Sequence, residues 1–164
     1  MAAKWNIRAF THIDTEEVVE LALRAWAPVF KSFETVLGTP LYLHMFPDWQ
    51  TYQSSSVRDA LAKNESWVVA DAERIAGFVN VIVKEDVNEG EIYMIAVDPN
   101  QQKQRLGAML TEFAVQELER CGVDLVTVGT GGDPGHLAAR RTYEAAGFTP
   151  FPQVTYYKLL KQPK

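Results

Sequence analysis

The chain has a single cysteine, Cys121, in 164 residues. No intrachain disulfide can form and no cysteine-rich metal site can be assembled, so a reducing, cytoplasmic setting is expected. His12 and His44 have no companions at metal-ligand spacing and are assigned no metal. Long apolar runs are missing too: nothing approaches the roughly 20 residues that cross a bilayer. Residues 1–10 lack the basic-then-apolar order of a secretory leader. Basic residues are the minority, 16 Lys and Arg against 21 Asp and Glu, and are scattered along the chain. A nucleic-acid partner is therefore not expected, and the mildly acidic surface suits cationic amines better. Two familiar phosphate loops are absent. There is no Gly-x-x-x-x-Gly-Lys-Ser/Thr, and the run Gly129-Thr130-Gly131-Gly132-Asp133-Pro134-Gly135 has Pro134 where a dinucleotide loop needs its third glycine. These absences argue against a nucleotide triphosphatase and a Rossmann dehydrogenase.

What is present reads as one α/β domain spanning residues 1–164, long enough to bury a core unaided. Trp5, Ile7 and Ala9 alternate with polar neighbours as a first strand, and Asp14 caps a helix carrying Val18, Val19, Leu21, Ala22, Ala25 and Trp26, with Pro28 near its end. Residues 30–46 are aromatic-rich and punctuated by Gly38 and Pro40, which predicts a broken helix or two short ones. A helix over 47–63 follows, with Val57, Ala60 and Leu61 facing inward. The period then changes to two, giving a hairpin of 67–71 and 75–84, and residues 91–97 form a nearly continuous apolar strand. A long helix through Leu106, Met109, Leu110, Phe113, Ala114 and Leu118 closes at Gly122, with Cys121 read as a small buried hydrophobe. A strand over 125–130, a helix over 135–146 closed by Gly147, and a last strand over 154–160 complete the order.

The chemistry concentrates between residues 91 and 147. A buried strand stops at Asp98-Pro99, and the polar run Gln101, Gln102, Lys103, Gln104, Arg105 leads through Gly107 into a helix. Unpaired amides at the positive end of a helix dipole, beside two cationic side chains, suit a phosphate or pyrophosphate; the same run also reads as a solvated, well-capped helix start.

Here the sequence resembles the GNAT superfamily of N-acetyltransferases. The run Gln102-Lys103-Gln104-Arg105-Leu106-Gly107-Ala108 is similar to its acyl-CoA signature Arg/Gln-x-x-Gly-x-Gly/Ala, with Arg105 at the first glycine position. Arginine there needs only ordinary backbone angles if the loop is already turning into the helix. A second block, His136-(x)2-Ala139-(x)3-Tyr143-(x)3-Gly147-Phe148, resembles the superfamily's Asn-(x)2-Ala-(x)3-Tyr-(x)3-Gly-Phe, with His136 replacing the asparagine that usually contacts pantetheine.

The resemblance implies a mixed, mostly antiparallel sheet of six or seven strands flanked by helices and splayed where acyl-CoA enters. It implies acetyl-CoA as co-substrate and a primary amine as acceptor. Tyr143 is the implied general acid, Glu91 the implied base, and the backbone near Ile95, Ala96 and Val97 the contact for the thioester, with a bulge expected around Ile95-Ala96. His136 and Ala139 join residues 102–108 in holding the cofactor. The aromatic residues Trp26, Phe30, Phe33, Tyr42, Phe46 and Trp49 are placed beside the acceptor, most of them in the core. Read without the resemblance, Tyr143 packs its ring on a helix face and Glu91 is a solvated strand end. A non-catalytic acyl-CoA-binding module on the same fold is the alternative, and an exposed last strand would allow a homodimer.

Overall fold

The computed structural model describes residues 5–161. A single sheet runs in chain order, β1 (Asn6–Ala9), β2 (Glu65–Ala70), β3 (Ile75–Lys84), β4 (Glu89–Val97) and β5 (Leu125–Val128). The first four strands pair antiparallel, and β5 joins β4 in parallel. The helices are α1 (Thr15–Leu37), α2 (Thr39–Met45), α3 (Trp49–Lys63), α4 (Leu106–Arg120) and α5 (Leu137–Ala145). This is the expected α/β layout with five strands in place of six or seven. Residues 154–160 join no ladder, because no strand edge of the described chain lies along them.

Two cores follow from the pleat, which sends alternate side chains to opposite faces. On one face Val18, Leu21 and Ala22 of α1 and Val57 and Leu61 of α3 pack on Val68 and Phe78. On the other, Leu106, Leu110, Ala114 and Leu118 of α4 pack on Val69, Val79, Val81 and Ile92. Both cores are built from the helical and alternating apolar positions legible in the sequence.

Local boundaries differ where a tertiary contact overrides propensity. Pro28 lies inside α1, which continues to Leu37 before Gly38 (φ 78°) ends it; packing of Phe30 beyond the proline carries the helix past the lost N–H. Pro47 precedes the cap, because the Asp48 side chain accepts from the Thr51 amide at 3.3 Å and starts α3 at Trp49. Cys121 is exposed instead of buried, since α4 ends there and turns through Gly122 into solvent.

The start of α1 is fixed electrostatically. Asp14 is buried, takes a forked pair of bonds from Arg8 at 2.8 and 2.9 Å, and accepts from the Thr11 amide at 2.8 Å. The Arg8 bonds are the largest cause holding its carboxyl down at about 2, against an opposing effect of burial. A folded pKa below the unfolded value stabilises the protein above pH ~4, and that contribution is lost as pH falls toward 2. Asp14→Asn is therefore expected to cost about 1–2 kcal/mol at pH 7. Urea unfolding at pH 7, 4 and 2.5 checks this, with the gap to the wild type closing as the pH drops.

Candidate functional site

The site begins with a parting of the sheet. β5 pairs with β4 only from Glu89↔Leu125 to Ile92↔Val128 and then leaves it. At the same place the β3–β4 register slips: Asn80 faces Met94 but Val81 faces Ile92, so Tyr93 is an extra residue. The bulge lies two residues before the expected Ile95-Ala96. After Glu91 the apolar run 92–97 carries no alternation that would have marked its register. Its effect is visible in the packing, because Ile92 joins the α4 core while Met94 packs on the α1 core. Without the extra residue the two would share a face.

Past the bulge, the Asp98 amide donates to Ala76 O of β3 at 2.8 Å. Amides alternate sides along a strand, so Ala96 also turns toward β3, whereas the N–H groups of Ile95 and Val97 point to the side that β5 has vacated. An open strip of backbone donors thus runs beside a wall of apolar side chains. The expected splaying is present, and Ile95 and Val97 carry its free donors while Ala96 is packed into the core.

Below the strip the chain turns at Asp98. Its buried carboxylate accepts from Arg24 Nε at 3.1 Å, Arg24 Nη2 at 2.6 Å and the Asn100 amide at 2.9 Å. Burial pushes this carboxyl up, but the bonds from Arg24 and Asn100 outweigh it and leave it below the usual range. Gln104 is tied back to the first strand region: its Oε1 accepts from Trp5 Nε1 at 2.8 Å. Gln102, Lys103 and Arg105 stay exposed, while Leu106 anchors the loop in the core. Lys103 and Arg105 both take left-handed backbone angles, φ 64° and 60°. The ordinary angles expected for Arg105 are not what it adopts; it occupies a glycine-type conformation immediately before α4, at a cost on the order of 1 kcal/mol. Arg105 makes no side-chain cap for α4, so the first-turn amides of Leu106, Gly107 and Ala108 have no partner inside the helix. A Cβ on Gly107 would meet only Thr142 Cγ2, at 4.0 Å; the bare glycine keeps the approach to those amides open.

The opposite wall is the loop leading into α5. Asp133 Oδ2 accepts from Ser32 Oγ of α1 at 2.6 Å and from the Gly135 amide at 3.0 Å, and its Oδ1 bonds His136 Nδ1 at 2.5 Å. Burial raises the Asp133 carboxyl, yet the bonds from Ser32, His136 and Gly135 bring it below the usual value. Arg140 fastens the same loop through the carbonyls of Gly131 (2.6 Å) and Asp133 (2.9 Å). Gly135 is required by close approach, since a Cβ there would lie 2.7 Å from Ser32 Cβ. His136 Nδ1 is committed to Asp133, which leaves Nε2 as its unbonded ring nitrogen. Nothing in the order of residues announces that Ser32 and Arg24 serve this site, because their partners lie 101 and 74 positions away. Asp133 carries a signal, an acidic residue before Pro-Gly at a helix start, that could have marked it as a cap.

Tyr143, on α5, is 8% exposed, and its ring meets Phe148 edge-on at 6.1 Å. Burial pushes its phenol up to about 12, so it stays protonated at any physiological pH. Its hydroxyl bonds no described residue, and among the described residues no fully buried side-chain oxygen lacks a partner; the small accessible part of this side chain therefore includes the hydroxyl. Ala139, one turn before it, is half-buried. Glu91 lies on β4 just before the bulge, and its carboxylate pairs with Lys84 Nζ at 2.7 Å, raising the lysine's pKa.

On the α1 face an aromatic cluster borders this loop. Phe30 stacks on Trp49 at 4.4 Å, Phe33 stacks on Phe46 at 5.4 Å, Tyr42 leans on Phe46 at 5.7 Å, and Phe33 reaches the His136 ring at 5.7 Å. Of the six aromatic residues expected to be mostly core, Phe30 alone is fully buried. Trp26 is half-buried against Phe78 of the α1 core, and Phe33, Tyr42, Phe46 and Trp49 are half-buried beside the short α2.

A parallel strand that leaves its neighbour beside an amide-rich helix start is the frame of an acyltransferase fold. The sequence profile described as the acetyltransferase (GNAT) family matches residues 20–148, and the chain belongs to that family. The solved structures similar to it include an aminoglycoside N-acetyltransferase with CoA (TM-score 0.66, 16% identity, covering 98% of each chain). They also include the ribosomal-protein-S18-alanine N-acetyltransferase from Escherichia coli (TM-score 0.64, 23% identity, 96% of this chain and 86% of that one). Among curated proteins, the mycothiol acetyltransferase of Sanguibacter keddieii is 48% identical over 60 residues, 37% of this chain and 18% of that protein. That of Mycobacterium leprae is 35% identical over 80 residues, 44% and 24% respectively. The chain thus matches about a fifth to a quarter of the length of these curated relatives.

The left-handed Arg105 yields a prediction. Arg105→Gly removes the strain and the guanidinium together, so the melting temperature is expected to hold or rise. Affinity for CoA or inorganic pyrophosphate is expected to fall about three- to tenfold if the guanidinium pairs with a phosphate. Calorimetric titration alongside thermal unfolding measures both.

Proposed function

We propose that the chain is one acetyltransferase domain that transfers the acetyl group of acetyl-CoA directly to a primary amine, with both substrates bound together. The observation that carries this reading is the row of outward amides at Ile95 and Val97 where β5 leaves β4. The uncapped start of α4 packs beside β4, and α5, which carries Tyr143, packs on α4. Acetyl-CoA supplies an activated thioester carbonyl; the residues of this chain do the rest.

The first-turn amides of Leu106, Gly107 and Ala108, with Gln102, Lys103 and Arg105 around them, hold the pyrophosphate at the positive end of the α4 dipole. Gln104 serves by bracing the loop on Trp5. The Val97 amide and His136 Nε2 grip the pantetheine arm, and Ala139 leaves room for it. The Ile95 amide stabilises the negative charge that develops on the thioester oxygen. The amine nitrogen forms the new bond to the carbonyl carbon as the carbon–sulfur bond breaks. Tyr143 gives its proton to the leaving sulfur, and the second proton, which the attacking nitrogen loses as it becomes an amide, restores the phenol by way of solvent. Glu91, directly or through a water, takes the proton that the ammonium form of the acceptor must lose. Lys84 Nζ holds that carboxylate in place at 2.7 Å.

The half-buried aromatic cluster around Phe33, Tyr42 and Phe46 forms the acceptor side, where ring faces attract a cationic amine. The single cysteine supports a reducing, cytoplasmic setting. The unpaired outer edge of β5 supports a homodimer.

Tyr143→Phe is expected to lower kcat by roughly 10²–10⁴ while leaving the affinity for acetyl-CoA within about threefold. Thiol release over a panel of amines, with calorimetry for binding, measures both. Acetyl-CoA binding with no turnover on any amine would point instead to a binding module. With an active acceptor in hand, Glu91→Gln is expected to depress kcat/KM on the acid side of the pH profile; an unchanged profile would remove Glu91 as the base.

A further inference from the structure

Six polar or charged residues are buried among the described residues: Asp14, Gln53, Ser66, Asn80, Asp98 and Thr111. Five of them are bonded inside the fold. Asp14 accepts from Arg8 and Asp98 from Arg24, Asn80 donates to Ser66 Oγ and to Ala60 O, and Thr111 donates to Gly107 O. Gln53 is the exception, since it is 8% exposed and its carboxamide bonds no described residue. A buried amide without a partner costs stability, so its position calls for a reason. Among the described residues no fully enclosed side-chain nitrogen or oxygen lacks a partner. The little of Gln53 that is accessible therefore includes both Oε1 and Nε2, and the carboxamide opens onto a space that the rest of the side chain is packed away from.

The helix α3 places that space. Gln53 lies one turn from Trp49 and one turn from Val57, on the same helical face. Trp49 stacks on Phe30 of α1 in the aromatic cluster, and Val57 is wholly buried in the α1 core. Gln53 thus stands where the half-open rings give way to the closed core. The sheet face under α1 and α3 carries Met94. Glu91 turns to that same face, because its neighbour Ile92 packs in the opposite core and side chains alternate along a strand. Carboxamide, aromatic rings and the Glu91 carboxylate are therefore on one side of the sheet, the side assigned to the acceptor amine.

We infer that Gln53 is a specificity-determining residue: its carboxamide bonds a neutral group beside the reacting nitrogen that both donates and accepts, a hydroxyl or a carboxamide. The side chain's own chemistry sets this class. It presents one acceptor oxygen and two N–H donors, so a group with both functions satisfies Oε1 and Nε2 together. An alkyl group in the same place leaves both unpaired, and a carboxylate or a second ammonium pairs with only one while losing its own hydration. An amide left unpaired in the free protein is a cost in stability that the bound acceptor relieves.

The inference rests on the acetyl transfer proposed above, and the test separates the two. Thiol release from acetyl-CoA is measured with amines matched in shape, 2-aminoethanol against propylamine and glycinamide against isobutylamine. The readout is the polar-to-alkyl ratio of kcat/KM in the wild type relative to that in Gln53→Met, a comparison in which the amines' own basicities cancel. Methionine keeps the length and the helix propensity and removes the polar atoms. The ratio is expected to fall about 10- to 100-fold in the variant for at least one pair, and the pair affected tells hydroxyl from carboxamide. Acetyl-CoA affinity is expected to stay within about threefold, and the melting temperature to hold or rise, since an unpaired buried amide has been removed. A ratio that does not change in either pair would overturn the inference and leave acetyl transfer standing. A melting temperature lower by more than about 3 °C would do the same, because it would show that the carboxamide serves the fold. No thiol release with any amine would overturn both.

Discussion

The parting of β4 and β5 is the constraint on which the site depends. Two devices produce it together: the extra residue Tyr93, which flips the face of everything after it, and the end of the parallel ladder at Ile92↔Val128. A continuous sheet would bind the amides of Ile95 and Val97 into a ladder and leave no backbone to offer a ligand. On the far side of the opening α1 reaches the loop before α5, where Ser32 donates to Asp133 at 2.6 Å. The Arg24–Asp98 bonds hold the far end of β4 against α1, so the opening is braced at both ends. Both braces are side chains with ion-pair or charge-assisted bonds, which suits a gap that has lost its backbone ladder.

Much of this was legible in the sequence, and the reasons are specific. The helical spacing of Val18 to Trp26 and of Leu106 to Leu118, and the alternation in the hairpin, are local signals, and each element formed where its period placed it. Residues 102–108 and Tyr143 were singled out by motif alone, and Arg105 takes a glycine-type conformation at the position where the motif has glycine, with φ 60°. The bulge was misplaced by two residues because an unbroken apolar run fits either register. Ser32, Arg24 and Trp5 were missed because each acts through one long-range bond that no local pattern encodes. The last strand was expected from its composition. Composition reports that a segment can be a strand, but whether it pairs depends on an edge the sequence does not locate.

Of the six aromatic residues expected together, Trp26 packs on Phe78 instead of joining the other five, and Phe30 alone is fully buried. A seven-residue α2 between Gly38 and Phe46 cannot cover Phe33, Tyr42 and Phe46 on both sides. These rings are therefore half inside the protein and half available to a ligand.

The most direct test of the central claim is hydrogen exchange at single-amide resolution, with and without acetyl-CoA. If the parted edge and the α4 start receive the cofactor, exchange at the amides of Ile95, Val97, Leu106, Gly107 and Ala108 slows by at least about tenfold. The amides of Ala96 and Asp98, already bonded to β3, change little. Slowing confined to other parts of the chain, or none at saturating acetyl-CoA, would contradict the account.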